Sequence, residues 1–364
     1  MSLSESIIEK ISKDGPLSFH DFMEMCLYHP GSGYYTSRKI RIGEKGDYYT
    51  SPHFSVLFGQ LIAKQIEEMW KLMDKEPFTI VEYGAGPATL CRDILISLKK
   101  NDLLYDGLRY CIIEKSEAMQ EEEKKILPEK VSWYHRIEDI PDLTGCVLSN
   151  ELIDNFAVHQ VLMDEQLMEV FVDYQNGFIE LLRPASAELK NYLSQLNVIL
   201  PKGFRTELNL QAIDWIRDVA ASLKKGFLLT IDYGYPSSLM YSEQRSAGTL
   251  MCYYRHTINE NPFQHIGEQD ITAHVNFSAI AHWGSIYGLQ CSGFTNQAHF
   301  LQALGLAADL KKKETEIPLA DHREMEKLIY TFLMDLGTKL KVLIQQKGMD
   351  GARLSGLQFA RPFV

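Results

Sequence analysis

The sequence has no apolar run long enough to span a bilayer as a helix, which excludes a helical membrane protein. It opens on neither an Arg-rich presequence nor a signal peptide. A pattern that reads as folded begins almost at Met1, so a cytoplasmic location is expected. The six cysteines are scattered with no Cys-x-x-Cys pair, which argues against a disulfide framework and for reduced thiols. Basic charge is in short supply. Lys and Arg number 37 against 48 Asp and Glu, a net charge of −11. Duplex nucleic acid needs a basic surface, so it is not an expected partner; a basic protein suits the charge better. What remains is ordinary: 364 residues, 45% hydrophobic and 23% charged, enough for a sizeable core and more than one minimal domain.

The stretch around which the chain is organised is Phe78-Thr79-Ile80-Val81-Glu82-Tyr83-Gly84-Ala85-Gly86-Pro87-Ala88-Thr89-Leu90. Phe78 to Tyr83 is short, apolar and β-branched and stops at a glycine pair, the pattern of a buried parallel strand entering a tight turn. Pro87 suits the first turn of the following helix, and Leu90, Ile94, Leu95 and Leu98 give that helix an apolar face. The glycines let backbone N–H groups approach a ligand, and the helix N-terminus favours negative charge. A dinucleotide fingerprint would have glycine at Thr89 and an acid about 20 positions on. Here the third glycine is missing and the next strand, Leu108 to Ile113, reaches its acid late, at Glu114. Glu82 would repel a pyrophosphate but welcome the amine-bearing methionine end of S-adenosylmethionine, and Glu114 can take both ribose hydroxyls. The plainer alternative is that Gly84 and Gly86 only turn the chain. With Gly84, Ala85 and Gly86 flanked by these two acids, S-adenosyl-L-methionine is the expected cofactor.

The pattern predicts helices over Leu3–Ile11, from Leu17-Ser18-Phe19 towards Leu27, and over 54–73. Between them lie two tyrosine loops, Tyr28 to Tyr35 and Gly46 to Pro52, that either cover a site or pack on the domain. In the cover reading Thr50 and Ser51 close on the cofactor. Ser116 should cap a helix reaching Leu127. Val131–Tyr134 reads as a third strand, followed by Ile137 and Glu138 where an adenine would lie. Gly145–Ser149 reads as a fourth strand, ending at Asn150 and Glu151 beside the glycine loop. Alternation over Val158–Met163, Leu167–Asp173 and Phe178–Leu182 predicts an antiparallel meander. Thr206 is expected to cap a helix, Gly226–Ile231 to be a fifth strand with Asp232-Tyr233-Gly234 at its end, and 235–270 to be a long loop. A helix over Asn276–Tyr287, a strand over Leu289–Phe294 and a helix over Gln297–Leu304 follow. The reading closes with a charged linker over Lys311–Glu316, a long helix over Met325–Gln345 and a last strand over Leu357–Arg361.

These segments in order resemble the MidA family of S-adenosylmethionine-dependent methyltransferases, which includes a mitochondrial complex I assembly factor acting on arginine. The resemblance runs nearly end to end. It is carried by Leu27-Tyr28-His29-Pro30-Gly31-Ser32-Gly33-Tyr34-Tyr35, Gly46-Asp47-Tyr48-Tyr49-Thr50-Ser51-Pro52, Phe58-Gly59 and Glu82-Tyr83-Gly84-Ala85-Gly86. It continues through Asn150-Glu151-Leu152-Ile153-Asp154, Asp232-Tyr233-Gly234, Gly248-Thr249-Leu250 and Asp270-Ile271-Thr272-Ala273-His274-Val275-Asn276-Phe277. The chain departs from the family pattern at His53, usually a glutamate, and at Ala157, usually a proline. The resemblance implies an α/β fold with a Rossmann-like class I methyltransferase core, an N-terminal helical segment and an inserted α+β substrate region. It also raises arginine in a protein substrate, a homologue of a complex I subunit, above other acceptors. The expected division is a helical and lid segment over 1–76, a core over 77–156, 207–234 and 289–364, and an inserted region over 157–206 and 235–288.

Methyl transfer from a sulfonium requires mainly that the acceptor be lined up with the methyl group. A guanidinium acceptor is cationic and planar, so carboxylates must hold it. Glu151 and Asp154 are the natural pair if a helix begins there, with Asp232 a third candidate. Alternatively, Asp154 caps a helix and Asp232 holds a loop. Tyr34, Tyr48, Tyr233, His274 and Asn276 are candidates for lining the acceptor side. His274 has no cysteine or second histidine at ligand spacing, so it reads as a structural histidine more readily than a metal ligand or general base, and no metal is expected. Three rivals stay open: an assembly chaperone that binds cofactor without turnover, a nicotinamide oxidoreductase, and a methyltransferase with an acceptor other than arginine.

Overall fold

The computed structural model describes residues 1–37, 51–127, 130–316, 328–349 and 351–360. Phe78–Tyr83 (β1) is buried along both faces, which is why its sequence is apolar without alternation. Around it lie Leu108–Ile113 (β2), Val131–Tyr134 (β3), Thr144–Asn150 (β4), Lys225–Tyr235 (β5), Gln290–Asn296 (β6) and Leu340–Lys347 (β7). They run in the order β6-β7-β5-β4-β1-β2-β3. The pairs from β5 to β3 are parallel. β7 is inserted antiparallel between β5 and β6. Strand order reverses between β1 and β4, so their C-terminal ends form the crevice in which open α/β sheets bind ligands. Helix Val56–Leu72 buries Leu61, Ile62, Ile66 and Met69 in the core formed with the sheet. It packs tightly on helix Thr89–Leu98. A Cβ on Gly59 would lie 2.5 Å from that of Asp93, so only glycine permits the approach.

The described residues form two compact units: one of 1–37, 153–215 and 234–282, the other of 51–152, 216–233 and 283–360. The sequence reading drew three parts, whereas contacts gather the N-terminal helices with the inserted residues. In the first unit Ser2 and Glu5 close a capping box on helix Leu3–Asp14. Leu17–Ser18 is not yet helix but pairs with Leu167–Tyr174, and Phe19–Tyr28 follows as a helix. His159–Met163, Leu167–Tyr174 and Phe178–Pro184 form the expected meander.

Several expectations are corrected. Thr206 lies within strand Arg205–Leu208, and Asn209 instead accepts from Ala212 N–H at the start of helix Leu210–Ser222. The segment 235–270 is no plain loop: Met251–Tyr254 pairs with Thr257–Asn259 and with Asp270–Thr272. Lys311–Glu316 belongs to helix Leu306–Glu316. The long helix expected to reach Gln345 stops at Lys339, where β7 begins. The closing strand is therefore β7. The segment Ser355–Leu357 is a single helical turn, and Arg361 lies outside the described residues.

Candidate active site

Past β1 the backbone alternates into the left-handed region at Gly84 (φ 60°), Gly86 (φ 55°) and Ala88 (φ 58°). Gly84 N–H donates to the Ile113 carbonyl at 2.9 Å, tying the loop to the end of β2. Helix Thr89–Leu98 therefore starts two residues after Pro87, not on it, and no side chain caps it. An uncapped first turn behind a glycine turn presents backbone donors to a ligand carboxylate.

Glu82 lies near the end of β1 and Glu114 follows β2, and a third buried acid, Glu123, was not foreseen. Glu82 is buried and accepts from the Tyr110 hydroxyl at 2.6 Å. Desolvation raises its pKa to about 7, while the Tyr110 bond opposes the rise. Glu114 is half-buried, with one oxygen accepting from Ser116 N–H at 2.7 Å, and burial raises its pKa. Glu123, 1% exposed, accepts from Trp133 Nε1 at 2.6 Å through one oxygen while the other has no partner among the described residues. Burial pushes its pKa to about 8, the Trp133 bond lowers it, and the charges of Glu114 and Glu82 raise it further. Its one sequence signal was helical spacing: Gln120, Glu123 and Leu127 are all buried, at intervals of three and four. Tyr110 gave no signal, since its partner lies on a neighbouring strand.

Glu151 follows the end of β4, and Asp232, expected at the end of the fifth strand, lies within β5, one residue past its last pairing with β4. Glu151 occupies the left-handed region (φ 50°), a strained conformation for any residue but glycine. Its N–H donates to the Ile231 carbonyl at 2.8 Å. Its Oε1 accepts from Ser51 N–H at 3.1 Å and from Asn150 Nδ2 at 3.3 Å. Desolvation raises its pKa to about 8, with the charge of Asp232 adding to the rise. Asp232 is fully buried, its two oxygens taking Leu152 N–H at 3.1 Å and Tyr233 N–H at 2.8 Å. The carboxylate pair in this unit is thus Glu151 with Asp232. The helical face proposed for Glu151 and Asp154 is absent. Glu151 precedes a three-residue turn, Ile153–Asn155, and Asp154 belongs to the other unit.

Comparison with known proteins follows that geometry. The profile of a family of S-adenosyl-L-methionine-dependent methyltransferases matches residues 61–295. The chain belongs to this family. A Burkholderia thailandensis protein solved with S-adenosyl-homocysteine bound is 31% identical, with a TM-score of 0.88 over 99% of this chain and 95% of that one. The mitochondrial protein arginine methyltransferase NDUFAF7 homolog of Drosophila melanogaster is 28% identical over 388 residues, 97% of this chain and 86% of that protein. The human protein arginine methyltransferase NDUFAF7, also mitochondrial, is 26% identical over 84% of this chain and 74% of its own length.

The methyltransferase uses S-adenosyl-L-methionine, and the cradle fits it. The glycine turn and uncapped helix offer main-chain donors of the kind a carboxylate takes, and Glu114, just past β2, is half-buried. Glu82 acts more deeply than expected, facing Tyr110. Ile137 is buried in a short turn, 137–139, and Glu138 there is paired with Arg136 at 2.9 Å, which lowers its pKa. Ser51 is fully buried, its hydroxyl directed to Gln297 rather than outward. Tyr233 packs half-buried against the core. Tyr48 and Thr50 lie outside the described residues, and the side chain of His53 is not described.

In the first unit the tyrosine loop is built inward. Tyr34 has no exposed surface, while Tyr28 and Tyr35 donate to the Asn155 carbonyl at 3.0 Å and to its Oδ1 at 2.7 Å. Asn276 caps helix Phe277–Ile286 through Ala279 N–H and gives its Nδ2 to Ser237 and Tyr241, so its amide serves the fold. His274 lies edge-on to Tyr235, ring centroids 5.3 Å apart. Among the described residues no helix is long and apolar enough to cross a membrane, and no group of three acidic, histidine or cysteine side chains is placed to hold a metal.

Proposed function

We propose that the protein transfers the methyl group of S-adenosyl-L-methionine to an arginine side chain of a partner protein. The observation that carries this reading is the pair Glu151, just past β4, and Asp232, within adjacent β5, Glu151 accepting from one main-chain N–H and Asp232 from two. A backbone N–H can only donate, so it favours the ionised carboxylate that a guanidinium needs. The names of the relatives, protein arginine methyltransferases, support the same acceptor.

When bound, the cofactor supplies an electrophilic methyl on sulfur. The glycine turn and Glu114 would hold it; Glu151 and Asp232 would accept from the guanidinium N–H groups and orient one nitrogen, and the carboxylate bonded to that nitrogen would take the proton it gives up on methylation. Arrival of that cation returns Glu151 to its ionised form, offsetting the burial that raises its pKa. By the MidA resemblance the partner is a homologue of a respiratory complex I subunit. A reducing compartment, cytosolic on composition, suits the six free thiols.

The test uses labelled S-adenosyl-L-methionine with lysate of the source organism, with the methylated residue located by mass spectrometry. Label should appear on arginine in one protein band, and Glu151→Gln should bind cofactor normally while transferring at least about 100-fold more slowly. Methylation of another residue type, or full activity in Glu151→Gln, overturns the acceptor assignment.

A further inference from the structure

Glu151 depends on a residue that is itself fixed from elsewhere. Ser51 has no exposed surface, and its hydroxyl lies 3.3 Å from the amide oxygen and 3.2 Å from the amide nitrogen of Gln297. Gln297, also fully buried, opens the helix Gln297–Ala303 that Asn296 caps at the end of β6. A buried amide is costly unless satisfied, and an apolar side chain of equal volume would fill the same space without that cost. The amide's visible employment is to fix Ser51, whose N–H reaches Glu151 Oε1 at 3.1 Å.

We propose that Gln297 is a positioning residue of the acceptor site, holding Ser51 so that its N–H fixes the Glu151 carboxylate in the orientation that receives the guanidinium. The proposal rests on the reading of Glu151 as an acceptor-binding residue. Gln297 touches neither substrate nor cofactor in this scheme. It acts through the serine hydroxyl, the handle by which a main-chain donor is aimed. The arrangement links three separated stretches of sequence, around 51, 151 and 297, within one unit.

The experiment compares Gln297→Met, which keeps volume but removes the amide, with Ser51→Ala, which removes the hydroxyl but keeps the N–H, and with the double variant. Glu151→Gln is run in parallel. The decisive readout is the titration of the Glu151 carboxyl by 13C NMR, its resonance identified by absence in Glu151→Gln. Loss of a well-aimed donor should move the midpoint up by about half a pH unit or more in each single variant. The double variant should move it no further, because both changes cut one chain of contacts. Cofactor affinity by calorimetry should stay within about twofold, and transfer of labelled methyl to the lysate acceptor should fall about threefold to tenfold. An unchanged midpoint and rate in Gln297→Met, or effects that simply add in the double, overturn the proposal. If Gln297→Met does not fold, Ser51→Ala decides alone: the same upward move supports the relay, and none overturns it. Full activity in Glu151→Gln instead overturns the reading beneath the proposal, a different result from an inactive Glu151→Gln beside a normal Gln297→Met.

Discussion

At the ends of β1 and β2 the buried carboxylates of Glu82 and nearby Glu123 accept from side-chain donors, the Tyr110 hydroxyl and the Trp133 indole. Past β4 and within β5, Glu151 and Asp232 accept from main-chain N–H groups of Ser51, Leu152 and Tyr233, with the Asn150 amide adding a side-chain bond to Glu151. Burial raises the pKa of a carboxyl at both ends, so a raised pKa does not separate them. The donors do. One side-chain bond and an unpartnered second oxygen leave Glu123 room to keep its proton, whereas two backbone donors leave Asp232 ready to meet a cation. On the proposed function the first group is polar architecture around the cofactor, and the second, with Glu151 itself raised to about 8, takes up its full charge only when the cation arrives.

The largest expected effect breaks the second group. Asp232→Asn replaces one accepting oxygen by an amide that faces a main-chain N–H, so a buried donor loses its partner. Methyl transfer should fall on the order of 100-fold while cofactor affinity, measured by calorimetry, stays within about threefold. Transfer within tenfold of the parent would place Asp232 with the architectural acids.

Next is the cofactor side. Glu114 is the acid there that is only half-buried, so it is the one able to meet ribose hydroxyls. Glu114→Ala should cost on the order of 1.5–3 kcal/mol in cofactor binding, at least tenfold in Kd. Unchanged calorimetric affinity would remove it from the site. Glu123→Gln should leave both affinity and transfer within about twofold at pH 7, since the amide replaces a group that is largely protonated there.

A smaller effect is read in stability against pH. The folded pKa values of Glu82 (about 7) and Glu123 (about 8) both exceed the unfolded value near 4.5. Folding therefore takes up protons in this window. The contribution of each group is complete below about pH 4.5 and is lost progressively as pH rises to about 7 for Glu82 and about 8 for Glu123, so thermal stability should fall between about pH 4.5 and 8. Glu123→Gln should flatten that fall by roughly 1–2 kcal/mol. Scanning calorimetry showing parallel pH profiles for parent and variant would mean that Glu123 ionises normally.

The two regions also differed in how far the sequence revealed them. Phe78–Tyr83, Leu108–Ile113 and Val131–Tyr134 were legible to the residue because each is an apolar run with clear breaks at its ends. β7 was not. Buried on both faces, Leu340, Val342, Leu343 and Ile344 show no alternation and continue the helical spacing of the residues before them. The strands within 251–272 are three or four residues long, too short for period two to stand out. Glu82 and Glu114 were singled out by position beside the glycines. What holds Glu82, and part of what holds Glu151, comes from contacts distant in sequence, Tyr110 with Glu82 and Ser51 with Glu151, which no local pattern encodes.

The smallest expected effect concerns one strained residue in each region, Ala88 (φ 58°) beside the cofactor loop and Glu151 (φ 50°) beside the acceptor pair. The left-handed conformation costs a non-glycine residue about 1–2 kcal/mol. At Ala88 a compensation is visible: its methyl is fully buried in the core cluster, worth about 0.8 kcal/mol. Glycine there would also release about 0.4–1 kcal/mol of extra entropy to the unfolded chain. These terms nearly cancel, so Ala88→Gly should change stability by less than about 0.5 kcal/mol. At Glu151 the side chain is a desolvated carboxyl beside Asp232, not a core methyl. Glu151→Gly relieves both strain and charge crowding, at the loss of the Ser51 and Asn150 contacts. It should gain up to about 1 kcal/mol in the cofactor-free protein while abolishing transfer. Denaturant unfolding of the two variants side by side makes the comparison. A destabilised Glu151→Gly would show that this carboxylate is held for the fold, and the contrast between the two strand-end regions would then collapse into a single network of structural acids.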